Sequence, residues 1–202
     1  FIRYPKFNFR ASQCDALHVD LWLNGINVLR DAGSYSYNAA EQWMNYFPST
    51  RAHNTVQFDG VEQMPRISRF LYSDWLKTYA CSCLVKKNDS TVFKVGYAGL
   101  NEVEHTREVT LSESSLRISD EIKGFESQAV LRWRLPPGKY IENGYAIMAD
   151  DFKLEVSANV KIKRFEIVEG WESLYYFKKT ELPVLEVEVA EPGNILTKID
   201  WK

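Results

Sequence analysis

The chain has 202 residues, 25 Lys plus Arg against 27 Asp plus Glu, and a formal charge of −2. That length suits one all-β domain, and the balance leaves no electrostatic footprint for a nucleic acid or an anionic membrane surface. Hydrophobic residues at 45% and charged residues at 26% exclude a disordered or fibrous chain, no run reaches the roughly 18 apolar residues of a membrane span, and 3 cysteines are too few for a disulfide framework.

The chain opens on Phe1, with neither an initiator Met nor a signal peptide, so it reads as a piece of a longer protein whose compartment stays open. A first strand is predicted over 16–23, where Leu17, Val19, Leu21 and Leu23 alternate. Carried backwards, the same parity holds Gln13 and Asp15, and a carboxylate on that face needs a partner. The opposite parity carries His18 and Asp20, which makes His18 a surface or strand-pair histidine. Asn24-Gly25 marks a hairpin into a strand over 26–31. The stretch from Ala39 to Phe47 is the single helix candidate, at most one or two turns, or else an aromatic loop over a sheet edge.

Further strands are predicted over 54–59, 76–86, 91–98, 103–111, 152–157 and 161–168, split by Asn-Gly, Asp-Gly and Gly breaks. Cys81 and Cys83, two apart in one of them, read as small buried groups on one face. Leu116, Ile118 and Ile122 alternate with Arg117, Ser119 and Glu121. Ala129, Leu131, Trp133 and Leu135 alternate with Val130, Arg132 and Arg134 until Pro136-Pro137-Gly138 ends the run. Leu185, Val187 and Val189 alternate with Glu186 and Glu188. About a dozen short strands with almost no helix and no internal repeat predict an all-β fold, an antiparallel two-layer β-sandwich, as one domain over 1–202.

Chemistry-bearing side chains gather between Gln13 and Arg69. Tyr35, Tyr37 and Tyr46 present rings and hydroxyls to a sugar or else cap one end of the sandwich. Arg51, Arg66 and Arg69 surround Met64-Pro65 and supply either a patch for carboxylates or an ion-paired face.

Five stretches together resemble the C-terminal domain of the heparinase II/III-like polysaccharide lyases. They are Asp15-Ala16-Leu17, Asp31-Ala32-Gly33-Ser34-Tyr35, Tyr46-Phe47, Ala52-His53-Asn54-Thr55-Val56, and Asp59-Gly60 with Gln63. His105-Thr106-Arg107 with Ile118-Ser119-Asp120 and Gly124 extends the resemblance over most of the chain. It implies a bacterial parent in which an N-terminal α-helical toroid precedes a β-sandwich, and an acidic, uronate-containing polysaccharide as substrate, cleaved by β-elimination.

The candidate catalytic residues are His53, Tyr35, Tyr37 and Arg51, and the candidates for substrate binding are Gln13, Asn54, Tyr46, Arg66, Arg69 and His105. His105 serves equally as a structural group. The family's His-x-His-x-Asp motif falls on Ala11-Ser12-Gln13-Cys14-Asp15, so Ala11 stands in place of a catalytic His and Gln13 in place of a zinc-ligating one. The remaining metal partners correspond to Asp31 and His53. No cofactor is expected. Zinc is the one metal these two could hold, with water, Gln13 or His18 completing the shell, against the alternative of a metal-free hydrogen-bond network of Asp31, His53 and Gln13. The isolated domain is therefore expected to be inactive. A non-catalytic glycan-binding module, or a scaffolding and homodimer contact, is the alternative from another class.

Overall fold

The computed structural model describes residues 1–7 and 10–202. Its strands in chain order begin with β1 (Leu21–Leu23), β2 (Ile26–Leu29), β3 (Val56–Phe58), β4 (Arg66–Ser68), β5 (Leu71–Tyr72), β6 (Lys77–Tyr79), β7 (Val85–Lys87) and β8 (Ser90–Ala98). There follow β9 (Glu104–Ser112), β10 (Ser115–Lys123), β11 (Ala129–Arg134), β12 (Ile141–Asn143), β13 (Ala146–Met148), β14 (Phe152–Ala158), β15 (Ile162–Tyr175), β16 (Lys178–Val189) and β17 (Gly193–Trp201). One short helix, α1, spans Glu41–Tyr46, and Thr50–Ala52 and Leu100–Glu102 form 3-10 turns.

Two antiparallel sheets carry the fold. The larger has nine strands in the order β12-β13-β14-β17-β10-β9-β8-β6, with β7 also paired to β8, and the smaller has four in the order β15-β16-β11-β3. The sandwich expected from alternation is the observed architecture. Trp133, Leu131, Leu185 and Val187 of the small sheet share one buried core with Ile118, Ile122, Ile195 and Ile199 of the large one. Trp133 Nε1 donates to Thr197 Oγ1 across the layers at 3.0 Å, so its one polar atom is satisfied inside the core. On the outer face of the small sheet, Arg132 and Arg164 bridge Glu186 and Glu188 at 2.5–3.1 Å.

Alternation failed where the backbone leaves the pleat. The strand expected over 16–23 shrinks to β1, because Leu17 adopts φ 63° and resets the parity of everything before it. The stretch 76–86 breaks into β6 and β7, because Ala80 turns through φ 51°; Cys81 and Cys83 are consequently exposed and outside any strand. The outer face of β11 is not wet: Val130 is 5% and Arg134 0% exposed. What covers it is the irregular chain from Asp31 to Ala52, where Ala32, Tyr46, Phe47 and Ala52 form a second small core with Tyr35, Trp43 and Trp171.

That covering segment is laced to the small sheet. Arg30 N donates to Arg134 O at 2.9 Å, Ser173 N to Ala32 O at 2.7 Å and Phe177 N to Tyr35 O at 2.7 Å. Gly33, at φ 74°, forms a parallel bridge with Ser173, and a Cβ on it would lie 2.3 Å from Ser173 O. Only glycine lets the loop lie this close to β15.

Candidate functional site

Two adjoining features draw on the sequence-predicted residues: a buried His-Asp-His cluster and an open groove. Asp31 follows β2 and His53 follows the Thr50–Ala52 turn, and His53 Nδ1 lies 3.1 Å from Asp31 Oδ2. The third member is His18, whose Nε2 is 3.6 Å from the same oxygen. His18 is 1% exposed, so its reading as a surface histidine is corrected; Asp31, His53 and the Asn54 amide close over its ring. The two imidazoles meet edge to face at 5.6 Å.

Gly33 N donates to Asp31 Oδ1 at 2.6 Å. Burial works against the Asp31 carboxylate, but His53, by charge and hydrogen bond, then His18 and the Gly33 amide outweigh it and hold the group well below the usual carboxylate range. Burial pushes His18 down to about 3, so the ring is neutral near neutral pH.

The His18 tautomer decides how well a metal fits. Asn54 N–H donates to His18 Nδ1 at 3.0 Å, so in the neutral ring the proton sits on Nε2, the nitrogen that faces Asp31. A ligating histidine needs the reverse, a lone pair toward the metal and an N–H outward. Gln13 does not repair the set, since its amide donates to Ser34 Oγ at 3.3 Å. The three residues could be bridged by distance alone, with all ligand atoms within 4.8 Å. Their donor chemistry suits a hydrogen-bonded network better than zinc.

Beneath the cluster lies a buried support that the sequence reading did not assemble. Arg107 Nε and Nη2 donate to Asp120 Oδ1 and Oδ2 at 2.6 and 3.0 Å, and Arg107 Nη1 donates to Leu17 O at 2.5 Å and Asn54 O at 2.7 Å. The arginine therefore grips the backbone beside both histidines. His105 Nε2 contacts Asp120 Oδ1 at 2.7 Å, and both side chains are 0% exposed. Burial opposes the Asp120 charge, yet Arg107 and then His105 outweigh it and keep the carboxyl below its usual range. Burial, with a smaller push from the Arg107 charge, lowers His105 despite Asp120. The missed signal was parity: Asp120 falls on the same face as Ile118 and Ile122, where a carboxylate demands a cation.

Several residues read as substrate groups are used by the fold or lie elsewhere. His105 is sealed in the core. Asn54, 0% exposed, donates to Val19 O at 2.8 Å and Arg30 O at 3.1 Å and accepts from Arg134 N at 2.7 Å, which uses its amide on the fold. Tyr46 is 8% exposed, its hydroxyl taking Trp171 N at 2.9 Å and Arg134 Nη1 at 3.2 Å. Arg51 lies over the Tyr46 ring at 4.8 Å in a separate open cleft with Trp171 and Glu62, so it does not join the others. Asp15 pairs with Arg3, and Ala11 is 4% exposed in the main core.

The groove itself is a cavity of about 200 Å³ that brings together Gln13, Tyr35, Tyr37, Arg66 and Arg69, joined by Trp43, Phe47 and Phe70. Tyr35 is stacked between Phe47 and Phe177 at 5.4 and 5.3 Å, and Tyr37 leans on Phe70 at 5.6 Å. Arg66 is fixed by Met44 O at 2.6 Å and Asn45 Oδ1 at 3.1 Å. The walls are the stretch from Ser34 to Tyr37, α1 with Phe47 and Pro48 after it, and the β4–β5 turn.

A profile of the family described as "Heparinase II/III-like, C-terminal" matches residues 4–176, which takes in the cluster, the groove and the buried arginine. The chain belongs to that family. A heparin-sulfate lyase of Bacteroides stercoris is 26% identical over 174 residues, 79% of this chain and 24% of the lyase. A solved heparinase III superposes with TM-score 0.82 at 19% identity, covering 98% of this chain and 32% of its own. The heparan sulfate lyase HepC from Pedobacter heparinus gives TM-score 0.75 at 18% identity, over 93% and 30% of the two chains. These likenesses establish the heparinase C-terminal sandwich fold. The chain spans about a quarter to a third of the length of these relatives.

Proposed function

We propose that this heparinase II/III-like domain forms one wall of a groove in which a longer protein cleaves a uronate-containing polysaccharide, of the heparan sulfate kind, by β-elimination. One observation carries the reading: the groove is lined by the guanidinium groups of Arg66 and Arg69 beside Tyr35, Tyr37, Trp43 and Phe70, with no carboxylate among its lining residues. Guanidinium forks match carboxylates and sulfates, and aromatic faces take the C–H side of a pyranose.

Elimination removes the proton on the carbon next to the uronate carboxylate, stabilises the resulting dianion, breaks the adjacent carbon–oxygen bond and protonates the departing oxygen. Arg69, whose guanidinium donates weakly to Met44 Sδ at 3.6 Å, offers its charge to the carboxylate. Tyr37, 56% exposed, is the phenol that reaches a bound sugar, whereas His53 at 0% exposure orients Asp31 and the loop. No step is routed through a metal. In this reading the opposite wall, with the remaining proton carriers, comes from the helical toroid that the family resemblance implies, and the chain alone binds without turnover.

The test is heparan sulfate offered to the full-length protein and to this chain. Ultraviolet absorbance from an unsaturated uronate is expected from the former only, and Arg69→Ala is expected to weaken salt-dependent binding by both. Absence of that absorbance with every uronate polymer tried refutes the lyase reading. The buried Ala11, standing where the family places a proton-transferring His, favours the alternative of a glycan-binding module, for which binding would persist with no absorbance.

A further inference from the structure

A second cavity, of about 310 Å³, opens at the other end of the β1–β2 hairpin, between that hairpin, the Pro136–Tyr140 loop, the β13–β14 turn and the end of β17. Val28, on its wall, stands three residues before Asp31, about 10 Å along an extended chain, and Leu23 and Ile26 at the hairpin tip lie further still. None of its lining residues is shared with the basic groove.

The composition of this cavity differs from that of the groove in a way that names a ligand. Its floor is apolar, from Leu23, Val28 and Phe152, and its sides carry Tyr140 and Trp201. The polar atoms of both aromatics are spent inside the protein: Tyr140 OH donates to Pro136 O at 2.5 Å and Trp201 Nε1 to Glu113 O at 3.1 Å. What the two rings offer the cavity is carbon. Around the rim stand two carboxylates, Asp150 and Asp151, and two ammonium groups, Lys139 and Lys202. Among the described residues no salt bridge involves any of these four side chains.

We propose that this cavity is a binding site for a neutral saccharide unit. A pyranose presents a C–H face to aromatic carbon and a ring of hydroxyls that donate to carboxylates and accept from ammonium groups. The rim side chains supply both partners in equal number, so they give no excess positive charge with which to draw a polyanion, unlike the arginine groove. A volume near 300 Å³ is at the small end of ligand pockets and holds one or two sugar rings.

Amide NMR titrations of the chain with cellobiose, N-acetylglucosamine, glucuronic acid and benzyl alcohol separate the outcomes. A neutral sugar is expected to shift residues of 149–152 and Trp201 with millimolar affinity. Asp150→Asn with Asp151→Asn is expected to weaken it roughly tenfold or more, since the amide oxygens still accept but without the charge, while Arg69→Ala leaves it unchanged. The proposal is overturned if neither neutral sugar shifts these residues, if glucuronic acid binds as well as they do, or if benzyl alcohol alone does. None of these readouts depends on turnover, so the lyase reading stands or falls separately.

Discussion

Asp120→Asn isolates the contribution of the buried support under the cluster. The substitution keeps the shape of the side chain and removes its charge, leaving the Arg107 guanidinium, 0% exposed, as an uncompensated buried cation. Its other contacts, Leu17 O, Asn54 O and the Trp133 ring at 5.0 Å, are neutral and cannot replace a bidentate carboxylate. Breaking one partner of such a pair costs about 3–5 kcal/mol. For a chain of this size that corresponds to a fall in Tm of roughly 6–20 °C, measurable by urea and thermal unfolding. By contrast Glu155→Gln, which breaks the exposed pair with Lys153 at 2.7 Å, is expected to change stability by less than about 1 kcal/mol. A local readout accompanies the global one. Because Arg107 holds the carbonyls of Leu17 and Asn54, hydrogen exchange at the Asn54 amide, which donates to His18, is expected to accelerate beyond the global destabilisation. A loss under about 1 kcal/mol, or unchanged relative protection of Asn54, refutes the reasoning that this ion pair anchors the two histidines.

Gly33→Ala sets a Cβ 2.3 Å from Ser173 O at φ 74°, and a loss above the roughly 1–2 kcal/mol of a left-handed residue is expected; Gly60→Ala, at φ 70° in open space, costs only that strain, and equal melting of the two would contradict the close approach. Tyr46→Phe leaves Trp171 N–H and Arg134 Nη1 without their acceptor and is expected to destabilise by about 1–3 kcal/mol in urea, whereas a residue held for substrate alone would leave stability untouched. Asp59 accepts the backbone N–H groups of Glu126, Ser127 and Gln128 at 2.7–3.0 Å, and although burial opposes it, these bonds lower its carboxyl to about 2. A folded pKa below the unfolded one stabilises fully above about pH 4 and is lost as pH falls toward 2, so wild type and Asp59→Asn should converge in stability over that window; a constant gap down to pH 2 would contradict the assignment.

How far the sequence carried depends on where the backbone stays regular. Leu185, Val187 and Val189 against Glu186 and Glu188 declared both faces of β16, and the outer glutamates do meet Arg132 and Arg164. The same rule misplaced His18, because the face it points to is covered by Asp31, His53 and Asn54 rather than by water. It also misled about Arg134, which alternation put in water. Whether an outer face is wet depends on what another part of the chain lays over it, and the Asp31–Ala52 segment covers β11 through a contact 88 residues apart, Tyr46 with Arg134.

Residue type proved a weak guide to role for a related reason. Asn54, Tyr46 and His105 are the kinds of side chain that bind sugars, yet Asn54 and Tyr46 spend their hydrogen bonds on the fold and His105, sealed at 0% exposure, holds Asp120 through Nε2. A polar group sealed in a core must be satisfied there, and once satisfied it has little left for a ligand. The residues that remain for a ligand are those the fold leaves partly unpaired at a surface: Tyr37 and Arg69 in the groove, and Asp150, Asp151, Lys139 and Lys202 in the second cavity. Only the first pair was nominated from the sequence. The second set, scattered over turns and the chain's last residue, carries no periodicity or motif; its members become neighbours only when β11, β13, β14 and β17 are stacked in their three-dimensional order.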